Sequence, residues 1–356
     1  MIKNKYLNNY KNIKVLVTGS TGFKGSWLCF WLNSIGANVY GIGLKPEKDF
    51  ILFDKLRIKE KIKQYYFDIS NFNKLDSLVK KIRPDIVFHL AAQSIVSNSY
   101  IFPTKTIQTN VMGSANVLET VRKNNINSMV FITSDKCYQN ENLKKNYKES
   151  DRLGGYDVYS SSKASAEILF FSYFHSFYRK NSKINIASAR AGNVIGGGDF
   201  KKNRIVPDFF RSIRNNEILE IRNPNATRPW QHVLEPLSGY MKLGSMLLNR
   251  DLSSTLYPSW NFGPNPINCK SVIEIIKILY KLSEKEKKIK IKKMLKIYES
   301  PLLSLSIEKA KKELSWKPKL SLTNSLKMTT DWYLNYFKRK NVEDLTIKQI
   351  SYYSSL

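Results

Sequence analysis

The chain has 356 residues, 42% of them hydrophobic, with six Trp, 20 Tyr and 18 Phe, enough to fill one large or two ordinary domain cores and too much for intrinsic disorder. Its 58 Lys and Arg against 29 Asp and Glu leave a net charge of +29, which points to an anionic partner. The cysteines Cys29, Cys137 and Cys269 are odd in number and far apart, and no two of His89, His175 and His232 stand at ligand spacing, which excludes a disulfide framework and a metal site. The lysines are scattered through nearly every segment among Asn, Ile and Tyr, the pattern of a solvated surface and not of a nucleic-acid groove. Met1 to Asn12 has no apolar signal region, and no stretch approaches the ~18 apolar residues of a spanning helix. A soluble, cytoplasmic protein with no membrane or nucleic-acid partner is expected.

In chain order, Ile13 to Thr18 is β-branched and apolar, and a glycine-rich turn and a helical pattern to Ser34 follow it. Strands are predicted over 38–43, 65–69, 85–90, 128–133 and 184–190, with helices over 71–82, 104–123 and 158–179 between them. Apolar strands alternating with helices imply an α/β fold, a doubly wound parallel sheet of Rossmann type over 12–190. After Arg190 the texture changes to glycine clusters, prolines and short elements, a smaller, interleaved domain over 191–340. The segment Pro258 to Gly263 again reads as a strand, so part of 230–263 is expected to rejoin the sheet. Eight lysines between Lys281 and Lys296 lack interleaved aromatics and read as a solvated connection. The tail 341–356 carries no readable signal.

Gly19-Ser-Thr-Gly22-Phe-Lys-Gly25 lies between the first strand and the first helix, where free backbone N–H groups and the helix dipole favour a pyrophosphate. No acidic residue closes the second strand before Glu47 to hold a ribose, so that position does not choose NAD over NADP. Tyr159 and Lys163 stand four apart on a helical pattern and share one face. An ammonium beside a phenol favours the phenolate and makes it a candidate base. The polar run Thr133 to Tyr138 closes the fifth strand, at the sheet edge where such folds keep ligands.

Together, Thr18 to Gly25, His89-Leu-Ala-Ala-Gln93, Thr109-Asn110-Val-Met-Gly113 and Tyr159 with Lys163 resemble the extended short-chain dehydrogenase/reductase superfamily over about residues 12 to 335. More narrowly, Gly22 to Leu28, Ser134 to Tyr138, Arg190 to Asp199 and Arg228 to Val233 are similar to the CDP-glucose 4,6-dehydratase family within the sugar-nucleotide dehydratase branch. Related dTDP-glucose and GDP-mannose dehydratases carry Asp-Glu where this chain has Asp135-Lys136.

The resemblance implies an NAD-dependent lyase, commonly a homodimer through the helices 104–123 and 158–179, acting on a nucleotide sugar for deoxysugar and lipopolysaccharide biosynthesis. It implies that Tyr159 takes the C4 hydroxyl proton, with Lys163 holding the cofactor ribose and lowering the tyrosine pKa. Ser134 would bond the C4 oxygen, and Asp135 would act as acid at the leaving C6 oxygen. Lys136 fills the position of the C5 base, either as a neutral amine or as the residue that orients Asp135 while a water moves the proton. Cofactor contacts are implied for Gly19, Thr21, Gly22, Phe23, Lys24, Gly25, Asp68, Ile69, Leu90, Ala91, Ala92 and Asn110, and substrate contacts for Gln93, Ser94, Asn193, Arg204, Arg228 and His232. Arg190 is either structural or substrate-facing, His232 either lines the nucleotide pocket or packs, and His89 is expected to be a satisfied buried histidine. A sibling nucleotide-sugar 4,6-dehydratase, epimerase or reductase on the same fold, or a protein binding an anionic polymer such as nucleic acid through the surplus charge, are the rival readings.

Overall fold

Seven short segments pair side by side into one sheet whose strands all run the same way. The computed structural model describes residues 5–46, 51–141, 145–179, 185–252, 257–265, 269–292 and 303–356. The strands are β1 (Lys14–Thr18), β2 (Asn38–Gly43), β3 (Lys63–Tyr66), β4 (Ile86–His89), β5 (Ser128–Ile132), β6 (Asn185–Ala191) and β7 (Ser259–Phe262). Their spatial order is β7-β6-β5-β4-β1-β2-β3, and every pairing is parallel. The order reverses between β1 and β4, so the loops leaving their carboxyl ends diverge and open a crevice there. β4 and β5 are buried at every residue, because helices cover both faces of the sheet.

Along β1, Val15 and Val17 face one apolar core with Trp27, Trp31, Phe88 and Tyr240, and Leu16 faces the other with Val87, Phe131 and Phe170. Helix α1 (Phe23–Ser34) leaves the glycine turn and buries Trp27, Leu28, Trp31 and Leu32. Helix α2 (Phe72–Ile82) is capped by Asn71, whose side chain accepts from the Lys74 N–H at 3.1 Å. The predicted helix 104–123 is a continuous run of Pro103–Ile107, a wider π-type turn over Gln108–Met112, and α3 (Gly113–Lys123). Likewise α4 (Val158–Tyr173) runs on into a wider turn, Phe174–Tyr178. The third strand ends earlier than the sequence suggests, so Asp68 and Ile69 stand in the loop beyond it.

Past β6 the chain builds a cap of short pairs, Val194–Ile195 with Gln231–His232, Thr227–Pro229 with Cys269–Ser271, and Leu219–Ile221 with Ile289–Ile291. Helix α5 (Ile205–Asn215) belongs to it, α6 (Leu234–Asn249) packs back onto the sheet over β5 and β6, and α7 (Val272–Ser283) and α8 (Leu322–Phe337) complete the cap. Between α6 and α7 the chain returns to the main sheet as β7, paired with β6. Residues 284–288 of the lysine-rich stretch are exposed, and its end from 293 lies outside the described residues. No helix among the described residues is long and apolar enough to cross a membrane.

The tail is not featureless. It forms α9 (Val342–Ser355), with Val342, Ile350 and Tyr353 buried; the apolar spacing of about one helical turn is masked by the polar residues around it. Tyr353 Oη donates to Glu235 Oε2 at 2.7 Å and lies 2.8 Å from Ser238 Oγ, and its ring meets Trp31 edge-on at 5.9 Å. Tyr353→Ala is therefore expected to lower the unfolding free energy by about 3–5 kcal/mol in urea titration, and an unchanged midpoint would show that α9 is not part of the core.

Candidate active site

The crevice is a cavity of about 680 Å³ at the carboxyl ends of the strands. Its floor on one side is the glycine turn. Gly19 has φ +75°, and a Cβ there would come within 2.8 Å of Ala91 N; a Cβ on Gly25 would lie 2.0 Å from Gly19 O. Only glycine allows the turn to close against the loop after β4 and leaves the first N–H groups of α1 uncovered. No side chain caps α1, so a pyrophosphate is a suitable partner for those groups.

The expected cofactor contacts Gly19, Thr21, Gly22, Phe23, Lys24, Gly25, Asp68, Ile69, Leu90, Ala91 and Ala92 all line this cavity. Asn110 does not. It is buried beside it, where Oδ1 accepts from the Gln93 N–H at 2.8 Å and Nδ2 donates to Gln93 O at 3.0 Å and to Ser162 Oγ at 2.9 Å. Both of its amide hydrogens and one acceptor site of Oδ1 brace the Gln93 loop against α4, so the side chain supports the cavity wall. Asp68 accepts from the Ser70 N–H at 2.9 Å and pairs with Lys105 at 2.9 Å. Burial works to raise its carboxyl, but these partners outweigh it and hold the group below the usual carboxylate range.

Opposite the glycine turn, β5 ends in a single tight turn, Asp135–Cys137, which Ser134 caps by accepting from the Lys136 N–H at 3.3 Å. Ser134 Oγ donates to Asp135 Oδ1 at 3.0 Å and lines the same cavity as Tyr159. Asp135 is 1% exposed, and its Oδ2 has no hydrogen-bond partner. A Cβ on Gly192 would sit 3.0 Å from that oxygen, so the glycine of the Arg-Ala-Gly-Asn run keeps space open in front of it. Lys136 is partly exposed, with Nζ 3.4 Å from Asp135 Oδ1.

Tyr159 and Lys163 share the cavity-facing side of α4, whose start Asp157 caps through Ser160 N at 2.9 Å. Burial pushes Tyr159 up to about 12; the Ser134 hydroxyl lowers it and the Asp135 charge raises it. The depression expected from Lys163 is absent in the protein alone, because desolvation of the phenolate dominates. Burial brings Lys163 down to about 8 and Lys24 to about 7, where the Lys163 and Arg204 charges push the same way and Asp135 opposes them.

Of the substrate candidates, Gln93, Ser94, Asn193, Arg204 and Arg228 line the cavity, and His232 does not. His232 is fully buried against Trp27, ring centroids 6.0 Å apart, and accepts from the Leu234 N–H at 3.3 Å. Burial pushes it to about 3, so it packs as a neutral ring. His89 is held between Thr18 Oγ1 at 2.7 Å and Ser114 Oγ at 3.0 Å, the satisfied histidine expected. Arg204 reaches across the cavity, donating to Asp199 Oδ2 at 2.8 Å and Ser94 Oγ at 2.9 Å. Arg190 points into the sheet instead, paired with Glu167 at 2.8 Å. Sequence reasoning missed Lys105, Asp157 and Asp199. Only Asp157 had a local signal, an Asx cap before a helical pattern.

A model of the family described as GDP-mannose 4,6 dehydratase matches residues 16–329. The chain is 39% identical over 353 residues to a CDP-glucose 4,6-dehydratase of Salmonella typhimurium, covering 98% of each. Among solved structures it superposes on an epimerase of Methanothermobacter thermautotrophicus with TM-score 0.80 at 27% identity, over 94% of this chain and 97% of that one. It also superposes on the dTDP-glucose 4,6-dehydratase of Bacillus anthracis in complex with NAD, with TM-score 0.77 at 21% identity, over 94% and 99%. Gly25→Ala is expected to abolish saturable quenching of tryptophan fluorescence by a dinucleotide; unimpaired binding would contradict the role of the turn.

Proposed function

The chain belongs to the GDP-mannose 4,6-dehydratase family, and on that footing we propose that it converts CDP-D-glucose to CDP-4-keto-6-deoxy-D-glucose with NAD as cofactor. The step serves deoxysugar formation for surface polysaccharides. The observation that carries the reading is the buried turn Ser134 to Lys136, which presents an unpartnered carboxylate oxygen beside Tyr159. Dehydration needs such an acid, and epimerisation, which expels no hydroxyl, does not. The glycine turn and the uncovered N–H groups of α1 fit the NAD pyrophosphate.

NAD, when bound, supplies the acceptor and donor of the hydride that leaves C4 and returns to C6. Tyr159 accepts the C4 hydroxyl proton, with Ser134 bonding the same oxygen. Lys163 holds the cofactor ribose and, by its charge, favours the phenolate against burial. Once C4 is a ketone, the C5 hydrogen is acidic; it and the C6 hydroxyl leave as water, with Asp135, protonated for this step, giving its proton to the C6 oxygen, and the C5=C6 bond left behind takes the hydride at C6 and a proton back at C5. Lys136 Nζ donates to Asp135 Oδ1 at 3.4 Å and leaves the unpartnered Oδ2 to carry the proton, which supports Lys136 as the residue that orients Asp135 while a water takes the C5 proton. Arg204, Arg228 and Asn193 all line the cavity and are suited to meet the charged oxygens of the sugar diphosphate.

A homodimer is supported by Ile107 and Met112 on the 103–123 run and by Ile168, Phe171 and Phe177 on α4 and its extension, all large apolar side chains exposed in the single chain. The three free cysteines suit a cytoplasmic enzyme.

Incubating the protein with a panel of nucleotide sugars and catalytic NAD should give loss of one water from CDP-glucose by mass spectrometry; CDP-glucose left intact while another sugar loses water would overturn the substrate. Asp135→Asn should slow water loss by roughly 100-fold or more while C4 oxidation still occurs, read as no more than one equivalent of reduced cofactor per site.

A further inference from the structure

Tyr159, Lys163 and Glu167 follow one another at intervals of four on the same face of α4, and all three are buried, Glu167 to 1% exposure. Glu167 is thus an acidic side chain in the interface between a helix and a sheet, where an apolar residue of the same size would cost no desolvation. Its two oxygens collect groups from two neighbouring strand ends. Oε1 accepts a short hydrogen bond from Thr133 Oγ1. Oε2 accepts from Arg190 Nη2 at 2.8 Å and from Ser188 Oγ at 2.9 Å. Arg190 extends the network to β7 through Ser259 Oγ at 3.2 Å, and to Tyr138 Oη at 2.8 Å and Glu149 O at 3.0 Å beyond the catalytic turn.

Thr133 is the last residue before Ser134 and Asp135, and its N–H is already tied to Ala189 O at 3.0 Å. The Glu167 bond fixes its side chain as well, so the residue on which the turn pivots is held at two points. We propose that Glu167 is a positioning residue of the catalytic centre: through Thr133 it sets the turn that presents Ser134 and Asp135 to the sugar, and its carboxylate supplies the counter-charge on the face of α4 that carries Tyr159 and Lys163. This rests on the reading of Tyr159, Lys163 and Asp135 as the dehydratase centre.

The charges around Lys163 agree with the geometry. Burial lowers the ammonium, and the Cys137 and Glu167 sites raise it. From the other packed elements, Lys24 on α1 and His89 on β4 feel the Lys163 charge, and both are pushed down by burial first. Arg190 on β6 faces Glu167 directly. Removing the Glu167 charge leaves burial and Lys24 less opposed, so Lys163 loses its proton at lower pH.

The test compares Glu167→Gln, Thr133→Val and Thr133→Ser with the unaltered protein, each loaded with NAD and assayed on CDP-glucose across pH. For Glu167→Gln, kcat should fall about 10–100-fold with KM within about threefold, and the alkaline limb of the kcat profile should move to lower pH. NAD affinity, read by tryptophan quenching, should stay within about threefold. Thr133→Val should lower kcat without moving the limb, and Thr133→Ser, which keeps the hydroxyl, should restore it. A folded Glu167→Gln protein with unaltered kcat and limb overturns the proposal, and so does a kcat loss matched by an equal collapse of NAD affinity, the mark of general structural damage. Where Glu167→Gln does not fold because Arg190 is left unpaired, Thr133→Val decides: a lowered kcat with NAD affinity kept supports the proposal, and an unaltered kcat or an equal loss of NAD affinity overturns it. If the unaltered protein ignores CDP-glucose, only the proposed substrate falls, and the variants are compared on the sugar nucleotide that it does turn over.

Discussion

A sheet whose seven strands all run in one direction must send every loop that follows a strand to the same edge. That constraint decides where chemistry can happen in this molecule. It gathers the glycine turn after β1, the Leu90 to Gln93 loop after β4, the Ser134 turn after β5 and the Gly192–Asn193 segment after β6 around one crevice. These segments lie up to about 170 positions apart in the chain, and strand pairing alone brings them together. The glycine turn adds a second constraint of the same kind, since backbone meets backbone there at distances that any side chain would break.

Within the crevice, burial is the dominant electrostatic influence. It pushes Tyr159 up and Lys163 and Lys24 down, in each case toward the neutral form. A centre that needs a phenolate and an ammonium therefore has to add charge against that tendency. Arg204 and the Ser134 hydroxyl work against burial at Tyr159, and Glu167, paired with Arg190, works against burial at Lys163. The surplus of +29 looks different in this light. Of the cationic residues first considered near the ligands, Arg190 belongs to the interior of the sheet. Lys163, Arg204 and Arg228 line the crevice, and residues such as Lys285, Lys287 and Lys288 sit on the exposed surface.

The alternation of strands and helices up to β6 was legible in the residues because buried parallel strands read as unbroken apolar runs, and the return of β7 was legible for the same reason. The glycine turn, the Tyr159 and Lys163 pair and the Ser134 to Lys136 turn were legible because each is local and its chemistry needs particular residues at short spacing. What could not be read depends on contacts across the fold. Whether Asn110 faces a ligand or braces a loop, and whether His232 lines a pocket or packs on Trp27, is decided by partners distant in sequence. The helix α9 was missed because its apolar positions are few and its anchor, Glu235, lies more than 100 residues upstream.

In the proposed reaction, hydride leaves C4 of the sugar and returns to C6 of the same molecule within one site. The most direct measurement supplies CDP-glucose deuterated at C4, with catalytic NAD, and locates the label in the product by NMR. Deuterium should be recovered at C6 of the 4-keto-6-deoxy sugar, in the molecule that lost it. Label found in solvent, in free cofactor, or still at C4 of an epimerised sugar would contradict the proposed reaction.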